Sequence, residues 1–304
     1  MNLKITKNIK EANLITHSSS FHPDDVFSTM FLSKITKNPI VCRTNNPDNA
    51  NQNAIVYDIG FGKFDHHGPD ATYRETPKLK YCSFGLLWKE FGLKYLETIN
   101  KEEKELLFTA IDENLIMQID GIDNGLFPKI DAEYKLTDLD KVIDLFNNAW
   151  NEEKDNDDNF LIAVEIAEKI FDRIIIKENA KILAKKRVEE QIPTVKDGIL
   201  ILKEYLPYQD AIFTSDNPQA KEVKVVIFPS NRGGYNIKPM TISKESKELA
   251  YKFSKSFNGL HDEELANISG IKTARFVHAS GFLACSETLE DAILLAKNAI
   301  DNKE

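Results

Sequence analysis

The 304-residue chain predicts an α/β protein: an N-terminal parallel-sheet domain flanked by helices, followed by a smaller α+β domain. Three observations carry this expectation. Short β-branched runs alternate with a helical pattern through residues 13–59, a long helix-period stretch fills the middle of the chain, and beyond a proline the texture changes to short strands.

The runs Asn13–Thr16, Pro39–Thr44 and Ala54–Ile59 are each continuous enough for a strand buried on both faces. Between the first two, Val26, Phe27, Met30, Phe31 and Ile35 recur at helical spacing, and Pro23 sits where a first turn tolerates proline. Strand, helix and strand make a βαβ unit, hence a parallel sheet whose ligands bind beyond the carboxyl ends of its strands. Helices follow at Ser83–Ile99 and Glu102–Ile122, the second with a stripe of Leu107, Ile111, Leu115, Ile119 and Ile122. A third and longer helix starts near Asn159 and stops before Pro193, which lacks a backbone donor. Asn151–Asn159 reads as a solvated acidic spacer without the spacing of a calcium loop.

The domain boundary is expected at 191/192, giving a first domain over 1–191 and a second over 192–304, with Ile192–Gly198 as the joint. In the second domain, strands are expected at Gly198–Tyr205, Lys224–Ser230, Gly233–Met240 and Ala274–Phe282, with helices at Glu245–Phe257 and from Thr288.

A net charge of −9 argues against nucleic-acid binding driven by the overall field. Bound divalent metals can nevertheless invert the electrostatics of an acidic pocket. No apolar run approaches the roughly 20 residues of a membrane span, so a cytoplasmic protein is expected. Cys42, Cys82 and Cys285 are far apart and lack Cys-x-x-Cys spacing, and they read as small buried hydrophobes.

The chemistry concentrates in four clusters. His17, His22, Asp24 and Asp25 lie where the first strand gives way to the first helix, and Asp58 ends the third run. Asp65, His66 and His67 follow in "FDHHG", between Gly62 and Gly68, in a chain with only six histidines. Asp120 and Asp123 stand one helical turn apart before Gly125. Each has a plain alternative: a helix-dipole acid for Asp24, a turn residue for Asp58, a solvated helix face for Asp120. Adjacent histidines at a glycine-flanked turn are the hardest to assign to structure alone. Carboxylate with imidazole suits manganese, zinc or iron. Two such ions roughly 3.5–4 Å apart would generate a hydroxide and clamp a phosphoryl group.

The "FDHHG" motif resembles the one that names the DHH phosphoesterase superfamily. His17 followed by His22-Pro23-Asp24 is similar to that superfamily's first motif, with His22 where an Asp is usual; Asp58 matches its second and Asp123 its fourth. "THSSSFHPDD", "VYDIG", "IDGIDNG" and "GLHDEELANISGIKTARFVHASGF" resemble the Myg family, melanocyte-proliferating-gene relatives also labelled metal-dependent protein hydrolases. The resemblance implies a DHH-like first domain and a metal-dependent phosphodiester hydrolase, a 3′–5′ exonuclease on RNA or short oligonucleotides with a two-metal hydroxide mechanism. It also implies two divalent ions, manganese first with magnesium, zinc or iron as alternatives. Carried over, the metal ligands are His17, His22, Asp24, Asp58, His66 and Asp123, with Asp58 bridging. His67 faces the phosphate or supports a ligand from behind, and Asp65 orients an imidazole.

Relatives in that superfamily carry a Gly-Gly-Gly-His motif in the second domain. This chain has "RGGYNIKP" and "FVHASGF" instead, so Arg232, Arg275, His278 and Ser280, with Arg74 after the histidine pair, are the expected substrate contacts. Tyr73, Phe127 and Tyr235 are the aromatic candidates for stacking on bases. Two rivals are a zinc amide hydrolase, which "HPDD" also resembles, and a non-catalytic metal-stabilised module. The first lacks a downstream His-x-x-His, and the second does not need so many ligands. The oligomeric state is open, a homodimer being one form.

Overall fold

The computed structural model describes residues 2–127, 129, 131, 133–152 and 155–302. The chain folds as two compact units, Met1–Asn179 and Ala180–Glu304. In the first unit β1 (Lys4–Ile5), β2 (Leu14–Thr16), β3 (Ile40–Arg43) and β4 (Ile55–Val56) form a parallel sheet in the order β1-β3-β2-β4. Leu14 faces Val41 on one side and Ile55 on the other. All three residues of β2 are buried, which is why Leu14 and Ile15 are both apolar with no alternation.

The helix α1 (Pro23–Ile35) connects β2 to β3 and is buried from Pro23 to Leu32. Its Phe31 packs edge-on against Phe84 and Trp88 of α2 (Ser83–Leu96) and against Phe171. The expected second long helix is three segments in continuous chain: α3 (Lys104–Ile111), a π-helical turn Asp112–Ile116, and α4 (Met117–Asp123). After the short α5 (Leu139–Asp144), α6 (Asp157–Glu189) contains the division between the units. Glu153 and Lys154 of the acidic spacer lie outside the described residues.

The second unit holds β5 (Ile199–Ile201), α7 (Gln209–Thr214), β6 (Val225–Pro229), β7 (Tyr235–Pro239), α8 (Asp262–Ser269), β8 (Ala274–Val277), β9 (Ala284–Ser286) and α9 (Leu289–Asp301). The sheet order is β5-β6-β7-β9-β8, with only β5 and β6 parallel. Ala292, Leu295, Ala296 and Ala299 of α9 bury against Val225, Ile227 and Ile237. This mixed sheet with helices makes the chain α/β overall, as expected.

Two element expectations need correction. Glu245–Phe257 is not a helix; only Lys255–Phe257 forms a single 3₁₀ turn. Serine side chains take the local backbone groups instead: Ser246 Oγ accepts from Glu248 N at 2.9 Å, the competition that disfavours serine in helices. The expected strand Ala274–Phe282 ends at Val277, because the chain turns on Gly281 (φ 70°), whose N–H donates to His278 O at 2.8 Å, and returns as β9. Among the described residues, no helix is long and apolar enough to cross a membrane.

Candidate metal centre

The loop from β2 to α1 carries His17 and His22. Arg43, buried at the end of β3, donates from Nη2 to Ser19 O at 2.5 Å, and Asn156 Nδ2 donates to the same oxygen at 3.0 Å. Asn147 pairs with both backbone groups of Phe21. At the helix start, Asp25 Oδ1 accepts from His22 N at 2.7 Å, fixing the first turn of α1. Asp24 points the other way and accepts from Phe84 N at 2.6 Å and Ser83 N at 3.0 Å. A helix N-terminus favours an anion there, so α2 holds this carboxylate by its dipole and its free amides.

Asp58 follows β4 in the left-handed region, φ 56°, and its N–H donates to Phe64 O at 2.9 Å, closing the loop that delivers Asp65, His66 and His67. Its two oxygens face different partners. Oδ2 lies 3.3 Å from His17 Nε2, and Oδ1 lies 3.6 Å from His66 Nδ1. On the His17 side, Asp25 Oδ2 is 3.6 Å from His17 Nε2, and His22 joins them. On the His66 side, Asp24 Oδ2 is 3.7 Å from His66 Nδ1, and Asp123 Oδ2 is 2.9 Å from Nε2.

Among the described residues, three groups therefore have ligand atoms close enough to hold a metal ion: His17, His22 and Asp25; Asp24, His66 and Asp123; and Asp58, Asp65, His66 and His67. The structure brings together all six residues expected as ligands. It adds Asp25, which the residue pattern places in the first cluster but the ligand set carried over from the resemblance leaves out. It also separates the two aspartates at the end of α4. Asp123 faces His66, while Asp120 accepts from Cys82 N at 2.9 Å and Arg74 Nε at 2.7 Å.

The site fits a cation on two counts. Asp25 Oδ2, Asp58 Oδ1 and His66 Nδ1 are buried without a hydrogen-bond partner, at about 1–3 kcal/mol each if nothing binds them. The carboxylates also crowd one another. Burial first, then the charges of Asp58 and Asp123, push Asp24 well above the usual carboxylate range. Burial raises Asp25 to about 6 despite the nearby His17. Burial opposes the charging of His17, yet Asp58 and Asp25 outweigh it and push the imidazole to about 9. His66 is also raised, with burial overcome by Asp123 and Asp58. A divalent ion would supply the positive charge that these groups otherwise take from protons.

His67 is 56% exposed, and its Nδ1 sits 2.7 Å from Asp65 Oδ1. Asp65 is held below the usual range: burial would raise it, but the amides of His67 and Phe61 and the His67 ring prevail.

Arg74, expected at the substrate, is buried and fully engaged. It pairs with Asp120 and donates to both oxygens of Asp112, one of them through Nη2 at 2.9 Å. In the second unit, Arg275 pairs with Glu287 at 3.0 Å and donates to Gly233 O at 3.2 Å, beside the exposed Arg232. His278 Nδ1 lies 2.9 Å from Ser280 Oγ, and both residues are exposed.

Residues 13–300 match the MYG1_exonuc family model, described as "Uncharacterised protein family (UPF0160)". The chain is 28% identical to the MYG1 protein of Dictyostelium discoideum, over 95% of this chain and 96% of the relative. It is 26% identical to the human MYG1 exonuclease, over 93% of this chain and 84% of the relative. A solved pGpG-specific phosphodiesterase from Vibrio aligns over 97% of this chain and 100% of its own, at 14% identity and a TM-score of 0.25. With the family model matched over nearly the whole length, the chain belongs to the Myg family.

Proposed function

We propose that the centre of the first unit holds two divalent metal ions, manganese first, and hydrolyses phosphodiester bonds at the 3′ end of RNA or short oligonucleotides. The observation that carries this reading is Asp58, whose two oxygens face two separate His/Asp groups. His17, His22 and Asp25 would hold one ion and Asp24, His66 and Asp123 the other, with Asp58 between them. When bound, such a pair lowers the pKa of a water and neutralises charge on a phosphoryl group.

The chain's own groups do the rest. Asp65 accepts a hydrogen bond from the Nδ1–H of His67, so Nε2 is the atom left to hold or pass a proton at the scissile phosphate. Arg232, Arg275, His278 and Ser280 of the C-terminal domain are assigned to the anionic substrate. Names of relatives support the nuclease reading, since the rat, mouse and human proteins are each called MYG1 exonuclease.

A substrate panel tests the reading. Purified protein with added manganese is offered 3′-labelled RNA, single-stranded DNA, dinucleotides and pyrophosphate, and stepwise release of 3′ nucleotides from RNA is expected. Metal bound in stoichiometric amount with turnover on none of the four would sink it.

A further inference from the structure

The loop between Asp58 and Asp65 presents an aromatic ring that neither the core nor the metal ligands use. Phe61 is 74% exposed, and its backbone is in the left-handed region at φ 55°. A bulky side chain is rarely found there, whereas glycine adopts it freely, and glycines flank this position at 60 and 62. The loop thus keeps a strained, water-exposed phenylalanine where the unstrained choice is glycine. Strain of this kind persists only where the surroundings impose it, and it clusters at ligand sites.

The imposing group belongs to the centre. Phe61 N donates to Asp65 Oδ2 at 2.6 Å, while Asp65 Oδ1 accepts from His67 N at 2.9 Å and meets His67 Nδ1 at 2.7 Å. One nearly buried carboxylate therefore sets both the Phe61 backbone and the His67 ring. The Phe61 ring also lies against the residue after His67: a Cβ placed on Gly68 would be 3.8 Å from Phe61 Cδ1. Tyr73 and Phe127 are exposed as well.

We propose that Phe61 is the stacking platform for the nucleobase adjoining the phosphate that this centre handles, which makes the preferred substrate a nucleotide rather than a bare phosphodiester. The inference rests on the phosphodiester reading above. Planar bases of any sequence would be accepted, because every base has a π-face.

Anisotropy binding tests it with manganese-loaded full-length protein and two 3′-phosphorothioate oligoribonucleotides, one with an intact terminal base and one abasic there. Wild type is expected to prefer the intact probe by about tenfold. Phe61→Ala and Phe61→Gly should reduce that preference to about onefold by weakening the intact probe alone, and Phe61→Trp should keep it. Phe61→Gly separates function from folding, because glycine relieves the strained φ and its thermal midpoint should not fall below wild type. Equal wild-type affinity for both probes, equal weakening of both in the variants, or no measurable binding overturns the proposal. Hydrolysis of the ordinary phosphodiester is read in parallel. A Phe61-dependent base preference without hydrolysis would refute the phosphodiesterase reading and leave the stacking site standing, whereas hydrolysis without base preference would do the reverse.

Discussion

Asp58 Oδ2 lies 3.3 Å from His17 Nε2, and Asp58 reaches that position from a left-handed backbone, φ 56°. Aspartate and asparagine are the non-glycine residues that tolerate this region best, because their short side chains bond locally. Asp58→Asn therefore keeps the shape and the backbone while removing the charge that faces both metal groups. The variant should fold with a thermal midpoint at or above wild type, lose at least one equivalent of bound metal by elemental analysis, and fall by at least about a hundredfold in turnover. Wild-type turnover in this variant would remove Asp58 from the centre.

The raised carboxylates give metal binding a pH dependence. Asp25 rises to about 6 in the fold against about 3.9 unfolded, and Asp24 moves in the same direction. A carboxyl raised this way favours the fold fully below its unfolded value, and that contribution is lost as pH climbs through the folded value. Metal-free protein should lose stability as pH rises toward about 6, and ions that displace those protons should restore it. Manganese is thus expected to raise the melting temperature more at about pH 7.5 than at about pH 5, as scanning calorimetry would read directly. An equal shift at both values would mean that the ion does not bind these carboxylates.

Arg74 supports the centre from behind. It spans Asp112 in the π-helical turn and Asp120 in α4, and Asp120 in turn holds Cys82 N immediately before the amides that grip Asp24. Removing only the cation leaves two carboxylates without their partner, at a cost of about 3–5 kcal/mol. Arg74→Met should be destabilised by that amount in urea unfolding. Adding Asp112→Asn and Asp120→Asn to it should recover part of the loss. A single variant as stable as wild type would show that the pairing is not structural.

The strands that frame the site were legible because a strand covered on both faces places apolar residues next to one another, as Leu14 and Ile15 do. The two-residue β1 and the π-helical turn were not, since neither Lys4–Ile5 nor Asp112–Ile116 departs from its neighbours in pattern. Among the site residues, His17, His22, Asp58, His66 and Asp123 stood out as ligand types at element ends. The split between Asp24 and Asp25 did not, because neighbours on a helix point in different directions and only the packing of α2 shows which one meets it. The charge of Arg74 suggested substrate, but its partners lie 38 and 46 residues away in sequence, a distance no local pattern spans.

Two glycines around that buried aspartate should respond to alanine with opposite signs. Alanine in place of helical glycine ordinarily stabilises by about 1 kcal/mol, through helix propensity. At Gly121 in α4 the added methyl would meet nothing closer than Leu126 O at 3.5 Å, an ordinary contact, so Gly121→Ala should be neutral or gain up to about that amount. At Gly85 in α2 the methyl would overlap the Asp120 carboxylate. Cys82 N and Arg74 fix that carboxylate, so it cannot swing away, and overpacking costs about 1–3 kcal/mol. Gly85→Ala should therefore lose stability in urea unfolding, and it should also lose metal affinity, because the shift displaces the α2 amides that hold Asp24. A stabilised Gly85→Ala variant would show that Asp120 can move, and with it that the support behind Asp24 is soft.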